Sequence, residues 1–404
     1  MDFRFTEEEE NFREEIRSFL MEEFAARGKG GGVFTAFYMS FIRKLVEKGW
    51  TAVHWPKEYG GQGWPIMRQV IFNEEMAYHR APRPDFMGMN IAGPAIIAYG
   101  TPEQKEQHLP PIVRQETLWC QGFTEPGAGS DLASLQTRAV ENGDHFIMNG
   151  QKIYTTMAHY AQWCILLART DPDAPKHRGI SCFLVDMKIP GITIRPLIDM
   201  VGQHTLNEVF FDDVRVPKSA LLGDKNMAWY QAAGRSLESE RSSIGNSAAE
   251  RRLLEELVDY VKDEREGGFL QSSPILKQRM AEMAIEIEIG RMLSYRIAWL
   301  QSKELPLDYM SSMVKLYHSE LSQRLTNVAM QVLGLYGPLA RGSKWAQLRG
   351  RIERLYLVTV SNTFGGGTSE IQRLIIATKG LGLPREPVLG ADFDKGAAAA
   401  ESAT

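Results

Sequence analysis

The chain has 404 residues, 44% of them hydrophobic and 24% charged, with a net charge of −4 at neutral pH. That length calls for two or three domains, and the mild acidity gives no electrostatic reason to expect nucleic acid. Cys120, Cys164 and Cys182 show no C-x-x-C spacing, no apolar run is long enough for a membrane span, and no metal site is indicated, so a soluble, cytoplasmic protein is expected.

From Thr6 to Phe24 the apolar residues Phe12, Ile16, Phe19 and Leu20 recur at helical spacing, with Thr6 as N-cap. The acidic run Glu7 to Glu10 reads as a first turn favoured by the helix dipole. Gly28 to Gly32 breaks the pattern, and helical periodicity resumes from Phe34 to Lys48. Trp55 to Gly63 is turn-rich, and helices follow at Pro65 to His79 and Met87 to Tyr99. Thr101-Pro102 starts another, expected to end before Pro110. Residues 1–118 therefore read as an N-terminal α-helical domain.

Residues Phe123-Thr124-Glu125-Pro126-Gly127-Ala128-Gly129-Ser130-Asp131 form a loop of small residues after a β-favouring aromatic. Its glycines let the main chain approach a phosphate or a planar ring. It is not a dinucleotide fingerprint, because Leu132 stands where the third glycine belongs, and a solvent loop is an equal reading by shape alone. Beyond it the hydrophobic period changes to 2. Asn142-Gly143 and Asn149-Gly150 read as hairpin turns, with β-type runs at Cys164 to Ala168, Ile180 to Val185, Ile192 to Ile194 and Val209 to Phe211. Residues 119–225 read as a central antiparallel β domain.

From Met227 the chain is helical again. The stripe Tyr230, Ala233, Leu237, Ile244 and Ala248 would put Glu240 on a buried face, where desolvation raises a carboxyl towards a useful general base; a salt bridge with Arg241 or another cation is the alternative. Ser273-Pro274 begins a helix with Met280, Met283, Ala284 and Ile287 as its buried stripe, and another covers 308–333. Ser369 with Gln372 fits a capping box at the start of a helix from Ile371 to Lys379, just after Gly365-Gly366-Gly367. Residues 226–385 read as a C-terminal four-helix bundle and 386–404 as a disordered tail.

Four stretches in this order resemble the acyl-CoA dehydrogenase family: the 123–131 loop, Asn149-Gly150-Gln151-Lys152 leading to Thr156, Gln331-Val332-Leu333-Gly334 with Gly337, and Gly367 to Arg373. The resemblance implies an α+β chain of helical domain, β domain and helical bundle, with FAD as cofactor and an acyl-CoA as substrate. By match, Gln121, Phe123 and Thr124 line the isoalloxazine ring, and Gly129 and Ser130 meet the pyrophosphate or the thioester ligand. Tyr154 stacks on the ring, where a core aromatic is the alternative, and the Thr156 hydroxyl lies near flavin N5. Thr368 and Glu370 belong to the flavin loop, Gly366 and Gly367 to the substrate's thioester carbonyl, and Gln331 and Gly334 to the adenine end of FAD in a neighbouring subunit.

The family chemistry uses a carboxylate to take the α-proton, commonly a glutamate where this chain has Gly366. A subset carries the base in a Glu-Arg dipeptide on the helix after the β domain, as in dehydrogenases of isovaleryl and long-chain thioesters. Glu240-Arg241 matches it, which makes Glu240 the base and Arg241 a substrate contact. The family's Arg-x-x-Phe-Gly is not recognisable around Asp263 to Phe269, which leaves FAD stoichiometry and homo-oligomeric assembly open. Arg349 to Arg354 and Phe364 to Gly367 are similar to dehydrogenases of steroid side-chain thioesters, some of them α2β2 assemblies. The resemblance thus implies an active dehydrogenase, a homotetramer or dimer reoxidised by an electron-transfer flavoprotein. The alternatives are a flavin-binding or structural subunit of a heterotetramer, or an oxygen-using oxidase.

Overall fold

Thr6 opens the first helix through a reciprocal cap: Glu9 N–H donates to Thr6 Oγ1 at 3.3 Å, and Thr6 N–H donates to the Glu9 carboxylate at 2.8 Å. The computed structural model describes residues 5–25, 35–233, 245–263, 273–307 and 309–384. Gly28 to Gly32, Glu240, Arg241, the stretch Glu264 to Phe269 and the tail 386–404 lie outside the described residues.

Helix α1 (Glu7–Ala25) buries Phe12, Ile16 and Leu20 against Phe41, Ile42 and Leu45 of α2 (Ala36–Glu47) and Ile71, Phe72 and Met76 of α3 (Ile66–Tyr78). Two adjacent carboxylates of α3 are buried in this seam. Arg13 reaches Glu74 at 3.1 Å and Glu75 at 3.0 Å, and Arg17 reaches Glu75 at 3.1 Å. Burial pushes the Glu75 carboxyl up, but His79, Arg17 and Arg13 outweigh it and hold it at about 2. A depressed carboxyl stabilises above its unfolded value and loses that contribution as pH falls towards 2. The shift corresponds to about 3 kcal/mol. Glu75→Gln is therefore expected to be less stable than wild type at pH 7, with the gap narrowing by pH 3; equal urea midpoints at pH 7 would refute this.

Met87 to Tyr99 is not one α-helix. A π-helical turn spans Gly88–Ala92, and α4 (Gly93–Tyr99) continues from it. Helix α5 (Pro102–Val113) runs through Pro110 and Pro111 instead of stopping before them. The prolines deprive its last turn of two N–H donors, while Leu109 and Ile112 are buried and Arg114 N–H still reaches Pro110 O at 3.0 Å.

The strands are β1 (Trp119–Gly122), β2 (Arg138–Asn142), β3 (His145–Lys152), β4 (Trp163–Arg169), β5 (Ile180–Asp186), β6 (Ile192–Ile198), β7 (His204–Pro217) and β8 (Leu221–Leu222). They form one sheet in the order β6-β7-β3-β2-β4-β5-β8, with β1 added on β4. Pairing is antiparallel except between β1 and β4 and at Arg138 opposite Arg169. Asn142-Gly143 does turn the β2–β3 hairpin. Asn149-Gly150 does not turn: it lies inside β3 at a bulge against β7. Gly150 is needed there for close approach, since a Cβ would fall 2.5 Å from Thr137 Oγ1.

The C-terminal helical domain packs α6 (Asn246–Lys262), α7 (Pro274–Ser302) and α8 (Met310–Leu333) with the short α9 (Arg351–Val358) and α10 (Ser369–Ile375). Met280, Met283 and Ile287 of α7 meet Leu254 and Leu257 of α6 and Leu321 and Leu325 of α8. Ala284 is exposed, so the buried stripe of α7 is narrower than its apolar pattern. The expected continuous helix from Met227 is also different. Trp229–Ala233 is π-helical, Tyr230 is exposed while Ala232 is buried, and left-handed Gly245 (φ 97°) precedes α6. Tyr230 is therefore off the buried stripe expected for it, and Glu240 lies outside the described residues.

Candidate active site

The 123–131 loop leaves the end of β1, where Gln121 sits half-buried. Phe123 is buried and Thr124 half-buried, and Thr124 O accepts Ile153 N–H at 2.9 Å. That bond sets the loop against the segment following β3. Glu125 and Ala128 exchange main-chain bonds of 3.1 and 3.0 Å around Pro126-Gly127, closing a tight turn. A Cβ at Gly127 or Gly129 would meet nothing within 4 Å, and Gly129 and Ser130 are exposed, so the far side of the loop is open.

Underneath, the loop is braced by charge. Lys152 is fully buried, and its ammonium donates to the Glu125 carboxylate at 2.7 Å and to Phe123 O at 3.1 Å. Glu125 also accepts the N–H groups of Gln136 (2.6 Å) and Thr137 (2.9 Å). Burial works against both charges. It lowers the Lys152 ammonium, with Glu125 opposing, whereas for Glu125 it is outweighed by Lys152 and the N–H donors, which hold the carboxyl below its usual range. Arg169 ties down the loop's other end, donating to Ala133 O at 2.5 Å and to Lys176 O and Arg178 O at 3.0 and 3.1 Å. Sequence reasoning missed these three residues. A signal existed for Lys152, which shares the inward parity of Phe146 and Met148 on β3.

Beyond β3 the chain enters Tyr154 in the left-handed region (φ 58°), and its ring is 60% exposed. The core-aromatic alternative is therefore excluded. Thr156 is half-buried, while Thr155 is buried with Oγ1 unpartnered among the described residues. The start of β7 holds this segment: Thr155 N–H donates to Asn207 O at 3.0 Å, Asn207 Nδ2 to Thr155 O at 3.0 Å, and Met157 N–H to Thr205 O at 2.8 Å.

A second group forms on the helical domain. Gly366 (φ 64°) and Gly367 (φ 91°) are left-handed, and Thr368 is extended. Thr368, not Ser369, caps α10: its Oγ1 accepts Ile371 N–H at 3.2 Å, because Ser369 is already helical. The expected helix from Ile371 to Lys379 gives way to a π turn at Ile376–Gly380. Glu370 is exposed on the first turn. The main-chain N–H groups of Gly366, Gly367 and Thr368 bond to nothing among the described residues.

Gln331 and Gly334 stand apart from both groups. Gln331 is exposed at the end of α8 and accepts from Arg279 of α7, and Gly334 (φ 54°) ends that helix. Among the described residues no cluster of His, Cys, Asp or Glu is arranged to hold a metal, and no helix is long and apolar enough to cross a membrane.

Family models match in three consecutive blocks: acyl-CoA dehydrogenase N-terminal domain over residues 6–116, middle domain over 120–214 and C-terminal domain over 229–381. The chain belongs to the acyl-CoA dehydrogenase family. It is 37% identical over 394 residues to acyl-CoA dehydrogenase IpdE1 of Mycobacterium tuberculosis, an alignment covering 93% of this chain and 98% of that one. Acyl-CoA dehydrogenase FadE26 of the same organism is 36% identical, covering 95% and 99%. Among solved structures, the Tcur3481-Tcur3483 steroid ACAD superposes with a TM-score of 0.86 at 34% identity, covering 96% of this chain and all of that one. The ChsE4-ChsE5 complex from Mycobacterium tuberculosis gives 0.84 at 36% identity, covering 95% and 100%. This acyl-CoA dehydrogenase is thus an oxidoreductase acting on the CH–CH group of an acyl-CoA, in a family of flavoproteins.

Proposed function

We propose that this acyl-CoA dehydrogenase binds FAD and converts an acyl-CoA to its trans-2-enoyl-CoA, with Glu240 removing the α-proton. The observation that carries the reading is the loop at Gly366: left-handed, without a side chain, and presenting N–H groups that bond to nothing among the described residues. Such a loop can polarise a thioester carbonyl but cannot take a proton. The base must then come from elsewhere, and Glu240-Arg241 is the dipeptide that resembles the family's alternative, with Arg241 beside the substrate.

The sheet end suits a flavin. It offers an open glycine loop, an outward ring at Tyr154 and, at Thr155, a buried hydroxyl without a partner among the described residues. In this reading Gln121, Phe123, Thr124, Tyr154 and Thr156 hold the isoalloxazine ring, and Gly129 and Ser130 face the pyrophosphate or the thioester. Thr368 and Glu370 complete the flavin loop, and Gln331 and Gly334 serve the adenine end across a subunit contact. Bound FAD supplies the two-electron acceptor for the Cβ hydrogen, and an electron-transfer flavoprotein reoxidises it. The residues of this chain orient the substrate, polarise its carbonyl and accept its α-proton.

A bulky, ring-bearing acyl group is the proposed substrate class. Support comes from the similarity to the Tcur3481-Tcur3483 steroid ACAD and from three glycines at 365–367 that leave room for such a group. A second reading follows from the similarity to ChsE4-ChsE5, which is a complex: this chain would be a flavin-binding or structural subunit of a hetero-oligomer, with catalysis on its partner. The test is the visible spectrum of the purified protein under anaerobic titration with short, branched, long, aromatic and steroid-type acyl-CoAs. Bleaching of a bound flavin by the steroid type is the expected result. A colourless protein, or a yellow one that no thioester bleaches, would replace the first reading with the second.

A further inference from the structure

We infer that Lys315 and Gln372 are positioning residues that clamp the glycine loop by its carbonyls and so aim its main-chain N–H groups at the thioester. The inference rests on the reading that this loop meets the thioester carbonyl. Lys315 lies on α8 with 8% of its surface exposed, and its ammonium donates to Gly367 O at 2.6 Å and to Asn362 O at 3.0 Å. Gln372 lies on α10, wholly buried, and its Nε2 donates to Gly367 O at 3.2 Å and to Gly366 O at 3.4 Å. Two buried donors on different helices therefore hold the carbonyls of the two left-handed residues.

A trans peptide is planar, with its C=O and N–H pointing in opposite directions. Holding Gly366 O and Gly367 O towards α8 and α10 turns the N–H groups of Gly367 and Thr368 the other way. These belong to the run of N–H groups with no partner among the described residues. The charge adds to the geometry. An ammonium on Gly367 O polarises that same peptide and makes the Thr368 N–H a stronger donor. Helix α10 does not need this arrangement for its cap, which Thr368 supplies. Gln372 Oε1 and Ser369 Oγ are also buried without partners among the described residues, so the network is complete only on the side that grips the loop.

The test uses flavin-loaded Lys315→Met, Lys315→Arg and Gln372→Leu. In rapid anaerobic mixing with the thioester that bleaches wild type, Lys315→Met should reduce its flavin at least roughly tenfold more slowly with thioester affinity within about threefold, and Lys315→Arg should recover part of the rate. Hydrogen exchange supplies a readout free of turnover. The hydrogen-bonded amides that flank the loop, those of Gly365, Ile371 and Gln372, should exchange at least about tenfold faster in Lys315→Met while those of α8 stay protected. Should Lys315→Met not fold, the same two measurements on Gln372→Leu decide. A wild-type reduction rate in the variant, with wild type itself bleached, overturns the clamp and leaves the dehydrogenase reading standing. Unchanged exchange at Gly365, Ile371 and Gln372 overturns it whatever the substrate. If no thioester bleaches wild type, the function reading falls and the exchange result alone judges the clamp.

Discussion

Glu240→Gln is expected to keep its FAD and its affinity for the acyl-CoA while flavin reduction slows at least about 10²-fold, the scale of a positioned general base. The amide keeps nearly the size and polarity of the carboxylate, so binding should survive and proton abstraction should not. Nothing on the glycine loop can compensate. Gly366 has no side chain, and a glutamate introduced there would be held in the left-handed region, which disfavours any Cβ. The same variant separates the two functional readings. If the chemistry belongs to a partner subunit, Glu240→Gln in this chain leaves the rate of the assembled complex unchanged. Near-normal reduction by the chain on its own would remove Glu240 from the mechanism.

The two loops of the candidate site stand out in the sequence because their backbone requirements are local. Gly366 and Gly367 take left-handed backbone and the 123–131 loop closes on a Pro126-Gly127 turn, requirements confined to a few residues, so their wording survives in the sequence. The change of hydrophobic period from 3.6 to 2 and back separated helix from sheet for the same reason. What misled was any inference needing a long, unbroken register. The phase carried from Tyr230 to Ala248 assumes one uniform helix, whereas its first described turn, Trp229–Ala233, is π-helical and left-handed Gly245 stands just before α6. Asn149-Gly150 has turn chemistry but is drawn into β3 by the passage of Thr137 beside Gly150. The braces were hidden because their partners lie far apart in the chain. Lys152 meets Glu125 from 27 positions away, and Lys315 meets Gly367 from 52. A lone lysine in an apolar strand, or in a helix beside buried serines, announces burial; its partner is fixed only by the tertiary fold.

The second large effect is expected at the brace under the flavin loop. Lys152 is fully buried, so Lys152→Met leaves the Glu125 carboxylate in the interior without its counter-ion, a change that costs about 3–5 kcal/mol. The N–H donors of Gln136 and Thr137 still satisfy part of that carboxylate, which softens the loss. Glu125→Leu should be worse. It strands the ammonium with Phe123 O and leaves both main-chain donors unpaired, each at a further cost of about 1–3 kcal/mol. The double variant Glu125→Leu/Lys152→Met removes both charges and should recover part of the loss relative to Glu125→Leu alone, a coupling that independent sites would not show. Chemical denaturation midpoints report the stability order, and flavin per chain reports the loop. Phe123 and Thr124 are carried on the braced segment, so FAD retention should fall in the same order as stability. Lys152→Met with a wild-type midpoint and full flavin would mean that the pair neither stabilises the fold nor shapes the loop.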